Sequence, residues 1–409
     1  MDEHSKKIKL LTGIDAFFPY VDGVVICLDN YCRQLIKKID LLTITPKAGR
    51  GYIDNLPYPI QRYKSVYVPL FSLNFGFPRR DFKFKKMLHN EHFDIVHVHS
   101  PFTLGHFALE YARGKKIPIV ATFHSNFRPI FKSIVRTDFL TEIIVKRIGK
   151  FYNKLDEVFV CSEDVANQAR SFGYTGKISI VPFGTDYEKA DNCDEMKEIA
   201  NKELGIEEDE LVFLYVGRVM KLKRVDFILE SLKIIKDNGI KFKFIVCGNG
   251  MYISKLKRLC EKLNIAKEVI FTGFVSHENI PLFYARADLF LFPSLYDNFG
   301  LVKVEAAAYS TPSVLIKGSA AATGIKDGVN GFLSEDDYRA FADKIMEAIK
   351  DRSVLADISK NATRDIYYRW EDCAEILIDK YESVIKRKRN KEFDDAYANK
   401  TSFEVESKI

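Results

Sequence analysis

Asp297 and Glu305 stand eight positions apart in the run Pro293-Ser-Leu-Tyr-Asp297-Asn-Phe-Gly-Leu-Val-Lys-Val-Glu305. The apolar segment Asp288-Leu-Phe-Leu-Phe-Pro293 ahead of them reads as a buried strand, and a helix is expected to start near Leu301. A carboxylate at the C-terminal edge of a strand faces the crevice where open α/β sheets take their ligands. The amides of Phe299, Gly300, Leu301 and Val302 would lie at a helix N-terminus, a ready anion site. Acids for hydroxyl groups beside amides for phosphate suit a nucleotide sugar.

Other residues at expected strand ends extend this chemistry. Gly217-Arg218 closes the apolar run Leu211–Val216, with Lys223 five residues later. A guanidinium fork and a point charge together suit a diphosphate, whose charge grows as a nucleoside diphosphate departs. Asp22-Gly23 precedes a helical stretch, and Gly23 would admit a phosphate or sugar close to the backbone, although a plain turn serves equally well. His124 ends the run Ile117–Phe123 before the loop Ser125-Asn126, where it is suited to a substrate hydroxyl or to acid–base work. His97 and His99 share a strand face and read as packing or cleft-lining groups. Gly248-Asn249-Gly250 reads either as a ligand-edge turn or as a simple connection. Gly273-Phe274-Val275 offers backbone groups to a base edge. There is no GxGxxG, and no Asp-x-Asp stands at a strand end. A metal-free mechanism, with no cofactor, is therefore expected.

The elements that must position these residues are short apolar strands alternating with helices, the pattern of parallel sheets covered by helices. Strands are expected at Ile8–Leu11, Leu41–Thr45, Val66–Leu70, Asp94–His97, Ile117–Phe123, Glu157–Cys161 and Ile178–Pro182. Further on they are expected at Leu211–Val216, Phe242–Cys247, Val269–Thr272, Leu289–Phe292 and Ser313–Ile316. The fold class is α/β, two Rossmann-like doubly wound domains facing a cleft. The boundaries expected are 1–187, 188–370, a C-terminal helix over 371–390 and a charged, disordered tail over 391–409. Trp370, the only tryptophan, is assigned to core or domain-contact packing.

The length of 409 residues fits two domains, and 47% hydrophobic with 29% charged residues reads as a soluble globular chain. No apolar run approaches the roughly 18 residues of a spanning helix, and the charged opening Met1 to Lys9 does not read as a signal peptide. Seven scattered cysteines without a CxxC pair point to a reducing cytoplasm and away from zinc. The net charge of +6 is uneven, with 17 Lys/Arg against 6 Asp/Glu over residues 61–155. Within that stretch Phe127, Ile130, Phe131, Ile134 and Val135 form one apolar helical stripe. Arg128, Lys132 and Arg136 line another face. A second cluster, Arg79, Arg80, Lys83, Lys85 and Lys86, interleaves with Phe82 and Phe84. Both suit an anionic membrane surface; a core-facing helix with a solvated basic face is the structural alternative. No helix-turn-helix, zinc-finger or RNA-binding signature is present, so nucleic acid is not expected as a partner.

Taken together these residues resemble the family-4 retaining glycosyltransferases of GT-B architecture, over about residues 7–385. The most specific elements are Gly217-Arg218 with Lys223 and the Asp297–Glu305 run. Asp22-Gly23-Val24, Ala121-Thr-Phe-His124, Val181-Pro-Phe-Gly-Thr-Asp186 and Asp327-Gly-Val-Asn-Gly331 support them. The Tyr20–Val25 opening and the basic front half look most like bacterial enzymes that glucosylate diacylglycerol. The resemblance implies that Glu305 holds the donor ribose, that Arg218, Lys223 and the amides of Leu301 and Val302 hold the diphosphate, and that Gly23 lines the donor pocket. It implies that Asp297 and His124 meet sugar hydroxyls. It further implies UDP-glucose as donor, a membrane lipid such as diacylglycerol as acceptor, and a peripheral place on the cytoplasmic face of the plasma membrane. A polysaccharide or teichoic-acid acceptor, or a nucleotide-sugar-binding protein without turnover, are the alternatives. The sequence departs from the family pattern at three sites. Asp297 stands where Glu is usual, Tyr309-Ser310 where a small residue and glycine are usual, and Thr323 where an acid is frequent.

Overall fold

A computed structural model describes residues 7–49, 51–68, 73–124, 127–190, 193–295, 297 and 299–406. The chain forms two compact units: residues 1–182 with the chain from Trp370 onward, and Phe183–Arg369. In the first, the strands are β1 (Lys9–Gly13), β2 (Asp40–Pro46), β3 (Ile60–Tyr63), β4 (Ser65–Val68), β5 (Leu73–Gly76), β6 (Ile95–Val98), β7 (Ile119–Thr122), β8 (Glu157–Val160) and β9 (Ile178–Ile180). Seven of them make a parallel sheet in the order β3-β2-β1-β6-β7-β8-β9, while β4 and β5 pair as a separate antiparallel hairpin. In the second unit β10 (Leu211–Val216), β11 (Phe242–Cys247), β12 (Val269–Gly273), β13 (Leu289–Phe292), β14 (Ser313–Ile316) and β15 (Phe332–Ser334) follow the order β12-β11-β10-β13-β14-β15.

Central strands read as unbroken apolar runs because helices cover both faces of a parallel sheet. All six side chains of β10 except the first are buried, as are all four of β13. Side-chain oxygens of Asp22, Ser162, Asp337 and Asp351 cap the helices that follow them and so set where each begins. Each sheet reverses its winding once, between β1 and β6 and between β10 and β13. The loops leaving these strands flank a crevice at the C-terminal sheet edge, where doubly wound folds bind ligands.

Strands β3, β5 and β15 go beyond the sequence expectation. β3, Ile-Gln-Arg-Tyr, is a polar edge strand with only Tyr63 buried, so it carries no apolar run to betray it. The segment expected as Val66–Leu70 is the hairpin strand β4, and residues 69–70 lie outside the described residues. The last helix spans Trp370–Glu406, so the backbone stays helical through most of the stretch where charge predicts disorder. Good helix formers there, Lys, Glu and Ala, outweigh the charge. That helix belongs to the first unit. Trp370 is 2% exposed and meets Tyr31 edge-to-face at 5.1 Å, with Cys373, Leu377 and Tyr381 buried behind it.

Candidate active site

In the second unit, the winding reversal brings the β10 and β13 loops together. Lys223 Nζ lies 2.5 Å from Asp297 Oδ1, joining residues 74 positions apart. The lysine also stands over the Phe292 ring at 5.5 Å. Both side chains are about four-fifths buried. The expected diphosphate cation and the expected sugar-binding acid are thus one ion pair. Buried Asp297 Oδ2 and Ser294 Oγ have no hydrogen-bond partner among the described residues, leaving acceptor and donor capacity unspent there. Tyr296 and Asn298, between them and the helix, lie outside the described residues.

Gly300, in the left-handed region at φ 69°, turns the chain into the helix Leu301–Ala308, and among the described residues no side chain caps it. The amides of Leu301 and Val302 therefore start a helix with no side-chain acceptor, as an anion site requires. Phe299 packs edge-to-face on Phe183 at 5.1 Å, and Lys303 Nζ lies 4.3 Å from the Phe299 ring centre. Lys303 is 1% exposed and donates to the carbonyls of Ala321 and Thr323, both at 2.6 Å. This lysine pins the turn around Ala322 against the helix, a role that spacing alone does not show.

One turn further on, Glu305 accepts a hydrogen bond from Tyr284 Oη at 2.8 Å. Part of the residue meets solvent, but its carboxyl is crowded by protein atoms. This desolvation raises its pKa to about 7; the Tyr284 bond opposes the rise and the charge of Asp186 adds to it. Tyr187, stacked on His277 at 4.4 Å, stands nearby. Tyr284 and Tyr309 stack nearly parallel, so Tyr309 fills space where the family pattern has a small residue. Glu305 is thus a carboxyl poised near neutrality, able to accept from paired hydroxyls.

Gly248 and Gly250 owe their identity to backbone approach. A Cβ on Gly248 would lie 1.9 Å from the Gly217 carbonyl oxygen, and one on Gly250 would lie 2.0 Å from that of Val219. The Gly248-Asn249-Gly250 turn therefore packs against the loop carrying Arg218 instead of lining open space. Arg218 itself is exposed, its carbonyl held by Tyr215 Oη at 3.0 Å. Arg224 was not anticipated. Its guanidinium reaches the Pro293 carbonyl and Asp336 and lies over Phe227, tying the β10 loop to the end of β13. Val275 is half-buried after β12, beside exposed Phe274. Asp327 and Asn330 hold their own loop, bonding Leu333 N and Lys326 N.

In the first unit the corresponding reversal holds Asp15, whose carboxylate accepts from Ser100 Oγ, Thr103 Oγ1 and Leu104 N. Asp22 Oδ1 accepts from Val24 N and Val25 N at 2.9 Å. Gly23 is exposed with nothing within 4 Å of where a Cβ would lie, so a ligand can approach the backbone there. His99 Nδ1 and His124 Nε2 are 2.8 Å apart, and His97 bonds Tyr381 Oη and Thr122 Oγ1. Burial pushes His97 and His124 down to about 3, and His99 well below its usual value. Burial thus holds all three in the neutral form near pH 7, which suits His124 to hydrogen bonding. Ser125 and Asn126 lie outside the described residues.

Residues 21–189 match the model for Glycosyltransferase Family 4, and residues 196–365 match that for Glycosyl transferases group 1. The chain is a family-4 glycosyltransferase. The glycosyltransferase is 28% identical over 310 residues to the alpha-monoglucosyldiacylglycerol synthase of Streptococcus pneumoniae, covering 73% of this chain and 69% of that one. It is 25% identical to the Acholeplasma laidlawii enzyme of the same name, covering 85% and 90%. Its fold matches that of Anabaena HepE, solved in complex with UDP, with a TM-score of 0.73 and 18% identity over 92% of this chain and all of that one. The architecture is GT-B.

Five of the eight expected membrane cations have partners within the fold. Arg79 pairs with Glu110 at 2.5 Å, Arg128 with Glu142 at 2.6 Å and Lys132 with Asp138 at 2.9 Å. Arg80 and Lys85 lie over Phe77 and Phe82, while Lys83, Lys86 and Arg136 are exposed. Phe84 is core, so the aromatic interleaving splits between interior and surface. The stripe on helix Phe127–Val135 is likewise split: Phe127 packs near Phe102, Phe123 and Phe172, but Ile134 is 55% exposed. Among the described residues no helix is long and apolar enough to cross a membrane.

Proposed function

We propose that this enzyme transfers glucose from UDP-glucose to a membrane lipid, 1,2-diacylglycerol or a close relative, with retention of anomeric configuration and without a metal. The observation that carries the reading is the Lys223–Asp297 pair, set at the winding reversal one helical segment from Glu305. With Glu305 on the helix that follows, it would set a cation for phosphate, an acid for sugar hydroxyls and an acid for ribose at one sheet edge. The names of two relatives supply the lipid acceptor. A donor diphosphate would draw Lys223 and Arg218, freeing Asp297 for the hexose, while the Leu301 and Val302 amides meet phosphate oxygens. Glu305 would accept from the ribose hydroxyls. The bond from anomeric carbon to phosphate oxygen breaks as the acceptor oxygen attacks on the same face. The acceptor proton passes to the departing phosphate, so no protein nucleophile is needed. His124, neutral and fixed by His99, would bond a sugar hydroxyl. The enzyme would then work peripherally at the cytoplasmic face of the membrane.

The test is transfer from labelled UDP-glucose into organic-extractable product, in mixed micelles of diacylglycerol and anionic phospholipid with chelator present. Labelled glycolipid is expected, and Glu305→Ala should abolish it. UDP-glucose binding without glycolipid would overturn the acceptor; absence of binding would overturn the donor.

A further inference from the structure

The helices Phe127–Val135 and Asp138–Tyr152 meet at a tight corner through Arg136, which adopts φ 56°. The second helix buries Thr141, Val145, Ile148, Phe151 and Tyr152 against the unit. Its other face is unusual for a water-exposed surface. Phe139 is 76% exposed, Leu140 46% and Ile143 38%, beside Ile134 at 55% on the first helix. Clustered exposed apolar groups of this size mark an interaction site. Further along the same helix the exposed side chains become Lys146, Arg147 and Lys150. Residues 127–154 hold seven Lys/Arg against two Asp/Glu, a balance of +5. Both acids are already paired, Asp138 with Lys132 and Glu142 with Arg128. The corner therefore offers no unpaired carboxylate to repel an anionic surface.

We propose that this corner is a bilayer-inserting tip: Ile134, Phe139, Leu140 and Ile143 enter the acyl boundary of an anionic membrane while Arg136, Lys146, Arg147 and Lys150 reach lipid phosphates. The eight-residue step from Phe139 to Arg147 spans about 12 Å of helix, close to the depth separating inserted apolar groups from the headgroup charges. Charge alone would fit any polyanion. The apolar end is what selects a bilayer, since nucleic acid offers no acyl phase to receive phenylalanine and leucine. This deepens the lipid-acceptor reading and rests on it: apolar insertion, not the ion-paired Arg128 and Lys132, holds the enzyme to its acceptor's phase.

The test uses the full chain and sedimentation with phosphatidylglycerol-containing or pure phosphatidylcholine vesicles, with UDP-glucose binding measured separately. The parent should co-sediment with the anionic vesicles. Combined Phe139→Ser, Leu140→Ser and Ile143→Ser should weaken this roughly tenfold or more, from the apolar area no longer withdrawn from water. UDP-glucose binding should be unchanged. Because Trp370 is buried, the variant Phe139→Trp adds the one exposed indole; its emission should shift to the blue and be quenched by acyl-brominated lipid. An unquenched indole, or full binding by the triple variant, would overturn the proposal. So would loss of binding in Phe82→Ser, on the separate basic cluster, with the triple variant intact. Preference for DNA over vesicles would overturn it too. Vesicle binding without UDP-glucose binding would keep the tip and sink the transferase reading; the reverse would sink the tip alone.

Discussion

Replacing Glu305 with glutamine keeps the shape and the Tyr284 hydrogen bond but removes the ability to ionise. The carboxyl has an ordinary value of 4.5 and is raised to about 7, chiefly by desolvation. At about 1.4 kcal/mol per pH unit, that interval is worth roughly 3 kcal/mol. The partial solvent contact of the residue makes this a ceiling and about 2 kcal/mol a fair expectation. The sign follows from linkage. A pKa raised on folding gives stability that is fully present below 4.5 and lost as pH rises through 7. The parent should therefore fall behind Glu305→Gln between pH 5 and pH 8, while the two match near pH 4. For a unit of this size each kcal/mol moves Tm by roughly 2–4 °C, so the variant should melt roughly 4–8 °C higher at pH 8. Calorimetry of both proteins across that range is the assay. A Tm difference independent of pH, or a parent that gains on the variant at high pH, would refute the argument that the carboxyl is buried and strained. If Glu305 binds ribose, the more stable variant should also bind UDP-glucose about tenfold or more weakly, because a charge-assisted bond is lost.

Two glycines give opposite expectations. Gly23→Ala meets open space and should leave stability within about 0.5 kcal/mol while raising KM for the donor, whereas Gly248→Ala should cost about 3 kcal/mol or more because its methyl meets the Gly217 carbonyl; a melt and a donor titration check both. The three buried histidines should show no titration between pH 5 and 8 by proton NMR, and His99→Phe should lower kcat through His124 without adding a step to the pH–rate profile in that range. A His124 midpoint above 6 would contradict the burial argument.

The sequence by itself determined the fold class and most of the strands. An unbroken apolar run such as Leu211–Val216 has one stable destination, a parallel sheet covered on both faces. It also placed Arg218, Lys223 and Asp297 in the loops after strands and Glu305 on the helix that follows, because chemistry-bearing residues after such runs gather at one sheet edge. Pairing was another matter. That Lys223 meets Asp297 depends on β10 and β13 being neighbours, which the winding order of the sheet decides and local spacing does not encode. Lys303, Arg224 and Tyr284 were missed for the same reason, since each acts on a residue 18 to 112 positions away. The polar edge strand β3 and the helix beyond Arg389 had no apolar periodicity to announce them. The basic segments show the same limit. Helical spacing shows which residues share a face but not what faces them, and only packing of the neighbouring helix revealed that Glu142 and Asp138 neutralise Arg128 and Lys132 while Phe139 and Leu140 stay in water.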